Sequence, residues 1–419
     1  MKTIQIPRRF EATSWGGTET VILETSRLLL EMGHDTSILC PSALSNPGLE
    51  QIDGLPVRRV PYFYPYWGLT KGATEELDQR GGNLFSWSLM RELVREPGLD
   101  LIHLHTGKRL GGGARLAAKW RRIPYVVSLH GGFLDVPSSE SERYVRPTRG
   151  AFEWGRALGW LVGSRRVLDD AGAIITVGRS EAELLRARFP NKLVVHLPNG
   201  VDVARFKVKD GPGFRARHGI LSSTFLLTVV GRIDPQKNQS LALGVLSHLR
   251  AAGVDAHLAL VGATTNNAYM DSLVAEIRQM ELGPHVTFTG NLAREEVPSA
   301  YHAADLVLLP SIHEPFGIAV LEAWASGKAI LVSKVGGVPD LVDHNRNGLL
   351  FESNDLSQAA NLAQTLQRDP EFRARLAAAG KMSVAEHSWA RITKQLVDLY
   401  CEVITREAAN RRKESCASA

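Results

Sequence analysis

Cysteine is scarce: Cys40, Cys401 and Cys416 are the three in 419 residues, with no close spacing between them. That pattern excludes a disulfide scaffold, a cysteine-rich zinc site and a secretory redox framework, and it fits a reducing compartment. Long apolar runs are missing too. The strand-like stretch Phe225 to Val230 stops well short of the ~18 residues a membrane-spanning helix needs. Met1 to Arg9 carries charge but no apolar core, so no signal peptide is expected. No run of five or six like charges occurs, and the net charge of +5 is spread over 49 cations and 44 anions. With no nucleic-acid-binding module in the sequence either, nucleic acid is not an expected partner. The expected location is cytoplasmic.

What is present is ordinary globular material, 44% hydrophobic and 22% charged with 38 Gly and 20 Pro, long enough for two or three domains. Thr3 to Ile6 reads as a strand, Val21 to Met32 carries helical spacing closed by Gly33, and Thr36 to Cys40 is the next strand. The rhythm returns at Leu101 to His105, at Tyr125 to Leu129 and at Ala173 to Val177, with Gly111-Gly112-Gly113 entering a helix. A second series has strands at Phe225–Val230, 257–261, 286–289, Leu306–Leu309, 329–332 and 348–351. Strands alternating with helices predict parallel sheets covered on both faces, hence two doubly wound α/β domains. The turn-rich stretch Asn199-Gly200, Lys207 to Asp210 and Gly211-Pro212-Gly213 reads as the linker. Open parallel sheets place ligands beyond the carboxyl ends of their strands, so two such domains are expected to face across a cleft.

Several loops carry candidate chemistry. Arg232 and Lys237 lie between a strand and a helix, where backbone N–H groups and the helix dipole favour an anion such as a diphosphate; a solvated loop with two surface cations is the plainer alternative. In Pro315 to Gly327 the lone charge is Glu322, on an otherwise apolar helix. Burying a carboxylate without a partner is costly, so Glu322 calls for a ribose's hydroxyls or for an internal cation such as Lys328. Glu314, in the loop before that helix, could take a sugar's hydroxyls. Gly336-Gly337 and Gly16-Gly17 lie in loops where backbone amides could approach a ligand, or in plain turns. His130 is open between an active-site contact and a hydrogen-bonded loop histidine; His103 and His105 are expected to be structural.

Together, Gly231-Arg232 to Lys237-Asn238, the Glu-x7-Glu run Glu314 to Glu322 with Phe316-Gly317, Gly336-Gly337, Pro198 to Asp202 and Gly16-Gly17 resemble family four of the retaining glycosyltransferases. The resemblance runs from residue 3 to residue 400 and is closer in the second half. It implies the GT-B fold: an acceptor-binding Rossmann-like domain over residues 1–203, a nucleotide-sugar-binding one over 204–388, and over 389–419 a helix crossing back to the first domain plus a flexible tail. By resemblance, Arg232 and Lys237 hold the donor diphosphate, Glu314 with Phe316, Gly317 and Ile318 holds the donor sugar, and Glu322 holds the ribose. Gly16 and Gly17 lie near the phosphates and His130 contacts the transferred sugar. Asp-x-Asp is absent. No metal and no cofactor are therefore expected, the two cations taking over the electrostatic work.

The expected function is transfer, with retention, of a sugar from a UDP- or GDP-linked donor to a glycan or lipid-linked glycan in cell-surface polysaccharide or glycoconjugate synthesis. A nucleotide-sugar epimerase of the same fold and a silent nucleotide-sugar-binding protein are the alternatives. Aromatics at Tyr62 to Trp67 and at Phe133, Tyr144, Phe152, Trp154 and Trp160, with Arg143, Arg146, Arg149, Arg156, Arg165 and Arg166, could dock at the inner face of a membrane. They read equally as a core cluster and a solvated helix.

Overall fold

Runs of β-branched and aliphatic residues become buried strands, as expected where both faces of a parallel sheet are covered. The computed structural model describes residues 1–11, 15–131, 146–207 and 210–417; Gly132, Phe133, Arg143, Tyr144, Val208 and Lys209 lie outside them. The chain divides into two units, Met1–Pro198 with Trp389–Ala419, and Asn199–Ser388.

The first unit holds β1 (Lys2–Ile6), β2 (Asp35–Pro41), β3 (Gly48–Ile52), β4 (Leu55–Val60), β5 (Tyr66–Trp67), β6 (Leu101–Leu104), β7 (Tyr125–Leu129), β8 (Phe152–Glu153), β9 (Ala173–Thr176) and β10 (Val194–His196). Among the described residues, eight of these form one sheet in the order β10-β9-β7-β6-β1-β2-β4-β3, parallel throughout except for β3 against β4. The remaining pair, β5 and β8, makes a small antiparallel ribbon. The helix Trp389–Ala417 belongs to this unit. Its Trp389, Ile392, Leu396, Leu399, Tyr400 and Val403 are buried against Leu29, Leu101, Val126, Ala173, Ile175 and Leu197.

In the second unit β11 (Phe225–Val230), β12 (Ala256–Val261), β13 (Val286–Gly290), β14 (Leu306–Leu309), β15 (Ile330–Ser333) and β16 (Leu349–Phe351) form an all-parallel sheet in the order β13-β12-β11-β14-β15-β16. Leu227, Val229, Leu258, Leu260, Leu306 and Leu308 from its strands pack with Leu243, Val245 and Leu246 of the helix Gln239–Ala251 in one buried cluster. Strand order reverses between β11 and β14, and between β1 and β6 in the first unit. At such a switch point the loops leaving the two adjacent strands diverge and leave room for a ligand.

Two local expectations are corrected. Gly211-Pro212-Gly213 is not linker: it opens the helix Gly211–Arg217, Pro sits in its first turn, and a Cβ on Gly211 would stand 2.6 Å from the His302 carbonyl oxygen. The final helix runs on to Ala417, through most of the stretch expected to hold a flexible tail.

Candidate functional site

The second unit's switch point gathers seven of the candidate residues. After β11 the chain forms a short 3-10 turn, Pro235–Lys237, capped by the Asp234 carboxylate accepting from the Gln236 N–H at 2.9 Å. After β14 comes Pro310 to Gly317. The two loops are laced together: Ile312 N–H donates to Gln236 O at 2.8 Å, and Gln236 Nε2 donates to His313 O at 3.0 Å. Lys237 Nζ and Glu314 Oε2 then meet at 2.6 Å, both partly exposed. Arg232, on the same loop as Lys237, is half-buried, and its guanidinium forms no ion pair among the described residues.

Gly317, at φ 95°, turns the chain into the helix Ile318–Ala325, which has no side-chain cap. Phe316 is buried behind the turn, Ile318 is half-buried, and in the first turn Val320 N–H donates back to Gly317 O at 2.9 Å. One turn on, the half-buried Glu322 accepts from the Tyr301 hydroxyl at 2.6 Å through Oε2. Lys328 is directed elsewhere, donating to the carbonyls of His302 and Ala304. Burial raises the Glu322 carboxyl above its usual range, against the pull of the Tyr301 hydrogen bond and of Arg205, Arg294 and Lys237. The carboxylate thus stands in a field of cations without being neutralised by contact with one, and Oε1 takes no hydrogen bond among the described residues. Tyr301 was missed in the sequence, because it lies on another helix, Val297–Ala303, and nothing local pairs the two.

Gly336-Gly337 has a packing role. A Cβ on Gly336, at φ 53°, would lie 2.2 Å from the Glu314 carbonyl oxygen, and one on Gly337 2.3 Å from that of Pro315; Gly337 N–H donates to Glu314 O at 3.0 Å. The pair braces the loop that presents Glu314.

The other three candidates lie in the first unit, at the carboxyl ends of its strands. Gly16 precedes the helix Gly17–Glu31, which follows β1, and Gly17 is exposed. His130 follows β7, its Nε2 at 2.8 Å from His105 Nδ1. Burial pushes His130 down to about 4 and His103 to about 3, and His105 falls well below the ordinary histidine value, so all three are neutral.

Comparison with known proteins places this geometry. Residues 16–200 match the family profile described as a glycosyl transferase 4-like domain, and residues 212–383 match the one described as glycosyl transferases group 1. The chain belongs to the family-four glycosyltransferases. Among this glycosyltransferase's curated relatives is the D-inositol 3-phosphate glycosyltransferase of Stackebrandtia nassauensis, 29% identical over 95% of this chain and 89% of that one. Another, of the same name, from a Nocardioides species, is 27% identical over 92% and 85%. Of solved structures, sucrose-phosphate synthase from Thermosynechococcus elongatus superposes with a TM-score of 0.74 at 19% identity over 97% of this chain and all of that one. HepE of Anabaena in complex with UDP gives 0.71 at 20% over 96% and all of its chain. The architecture is GT-B.

Proposed function

We propose that this glycosyltransferase moves a sugar, with retention, from a nucleoside-diphosphate donor bound at the β11/β14 switch point. One observation carries the reading: the lone acid of an apolar helix, Glu322, is steadied by a neutral hydroxyl and keeps an oxygen for a ligand, on a loop system that also offers Arg232 and Lys237. Glu322 holds the ribose, Arg232 and Lys237 hold the diphosphate and take up leaving-group charge, and Glu314 with Phe316, Gly317 and Ile318 holds the donor sugar. The Lys237–Glu314 pair opens when the donor arrives, each member trading one partner for another. UDP is the favoured base, supported by the UDP in the HepE structure, and GDP remains the competitor.

Replacing Arg232 or Lys237 by Ala lowers turnover by about 10² or more, the scale of losing one preorganised donor; near-normal turnover in either variant contradicts the diphosphate role. NMR of the product is expected to show the donor's anomeric configuration kept, and EDTA is expected to leave the rate unchanged. A changed sugar still attached to nucleotide supports epimerisation instead.

For the acceptor, the D-inositol 3-phosphate for which the relatives are named and a lipid-diphosphate-linked glycan share a hydroxyl close to phosphate. Lys108, which leaves β6 at φ 55° and makes no ion pair among the described residues, suits that phosphate. A lipid-borne acceptor is favoured by the surface of the β5/β8 ribbon. Trp67 and Phe152 stack at 5.5 Å while 66% and 63% exposed, and Trp160, 84% exposed, follows on the next helix with Arg156. Such aromatics beside cations suit the inner face of a membrane. Among the described residues no helix is long and apolar enough to cross a membrane. Flotation with anionic liposomes carries the protein up and a Trp67→Ala, Trp160→Ala variant stays down; failure of the wild type to float removes the membrane.

A further inference from the structure

The first unit contains a chain of buried hydrogen bonds. Ser128 Oγ meets His103 Nε2 at 2.7 Å, and His103 Nδ1 meets the Tyr400 hydroxyl at 2.6 Å. Gln5 Nε2 donates to that hydroxyl at 3.4 Å, while Gln5 Oε1 faces His105 Nε2 at 2.9 Å; His105 Nδ1 then faces His130 Nε2 at 2.8 Å. Tyr400 comes from the helix Trp389–Ala417, Gln5 from β1, and the histidines from the ends of β6 and β7. At the far end, His130 Nδ1 is shielded and has no hydrogen-bond partner among the described residues, although the residue as a whole is partly exposed.

A neutral imidazole has one donor and one acceptor nitrogen, so each link dictates the next. The Gln5 amide nitrogen points at Tyr400, which leaves its oxygen to accept from His105 Nε2–H. His105 Nδ1 is then a lone pair and accepts from His130 Nε2–H. His130 Nδ1 is left as a bare lone pair. Leaving a buried acceptor unsatisfied is costly, so it is a place that a donor from outside would complete.

We propose that Gln5, His105 and Tyr400 are positioning residues that hold His130 in the Nε2-protonated tautomer, so that its Nδ1 accepts a hydroxyl from a bound sugar. The second half rests on the transferase reading; the first does not. The hydroxyl belongs either to the donor sugar or to the acceptor. Low values for the three histidines keep the chain uncharged, which the alternation of donor and acceptor requires.

The test uses the full-length protein labelled with 15N-histidine. Long-range 1H–15N correlation without ligand is expected to show His130 protonated at Nε2 and bare at Nδ1. His105→Leu removes the acceptor, mixes the two tautomers and lowers kcat about tenfold, the worth of one hydrogen bond. His105→Asn, whose Oδ1 stands where Nδ1 stood, recovers both. Tyr400→Phe frees Gln5 to turn over and shifts the tautomer ratio without touching His105, which covers the case of a poorly folded His105→Leu. If the hydroxyl is the donor's, His105→Leu weakens binding of nucleotide sugar but not of free nucleoside diphosphate; if it is the acceptor's, the acceptor KM rises instead. A His130 protonated at Nδ1 in the wild type, or variants with unchanged tautomer and kcat, overturns the proposal. A correct tautomer in a protein that transfers no sugar overturns the transferase reading and leaves the relay standing.

Discussion

Among single residues, Glu322 and what faces it decide whether a nucleotide can be held. A carboxylate among apolar neighbours is visible in the sequence because Glu322 is the lone charge from Pro315 to Gly327. Its partner is not visible, because the Tyr301 hydroxyl comes from a helix 21 residues away and reaches Glu322 only through packing. Tyr301 is buried, and its hydroxyl is the contact that steadies Glu322 while leaving one oxygen open. Tyr301→Phe therefore leaves a half-buried carboxylate short of a donor. It is expected to lower stability by about 1 to 3 kcal/mol and to weaken nucleoside-diphosphate binding several-fold, read from urea midpoints and calorimetric titration. Unchanged affinity would mean that Glu322 does not touch the nucleotide. In the same way the cations Arg232 and Lys237 are legible as residues, whereas the direct pairing of Lys237 with Glu314 is not, since it depends on the register of two loops.

At the scale of elements, most strands of both sheets are legible because fully buried parallel strands read as unbroken aliphatic runs. The β3/β4 hairpin escaped that pattern: residues of β3 are largely exposed, Glu50 and Gln51 interrupt its apolar residues, and an edge strand has no run to show. Its turn did carry a signal, Asp53-Gly54, with both residues at positive φ. Gly336-Gly337 illustrates the opposite case, a motif seen in the sequence whose physical reason is different from the one it suggested. The glycines are small because the carbonyls of Glu314 and Pro315 lie where side chains would be. Gly336→Ala adds both that collision and a left-handed backbone, the latter alone worth about 1 to 2 kcal/mol. The variant is expected to lose most of its turnover with a melting point lowered by a few degrees, since the displaced loop is the one that carries Glu314. Full turnover in a stably folded Gly336→Ala would contradict the bracing role.

At the scale of the molecule, the first unit depends on buried neutral histidines. His103 and His105 are 3% and 9% exposed, and burial holds both far below the ordinary value of 6.5. Below pH 6.5 the unfolded chain takes up protons that the folded one refuses, so stability is full above that pH and falls as pH drops toward the folded values. Between pH 7.5 and 5 His103 alone loses roughly 2 kcal/mol at ~1.4 kcal/mol per unit below 6.5, and His105 adds to the loss in the same direction. Urea midpoints at the two pH values check this, and equal midpoints would contradict it. The division of the chain was legible in its two strand–helix series and the turn-rich stretch between them, whereas its return through the C-terminal helix was readable only by resemblance, because no local pattern tells a helix which unit to pack on. Above these details stands the claim that the second unit grips a nucleoside diphosphate through Glu322, Arg232 and Lys237. Calorimetric titration of the full-length protein and of Glu322→Gln with UDP, GDP and ADP tests it most directly. One of the three is expected to bind the wild type, at least tenfold more tightly than it binds Glu322→Gln, a difference of about 1.4 kcal/mol; equal affinity in the two proteins, or no binding of any of the three, would contradict the account.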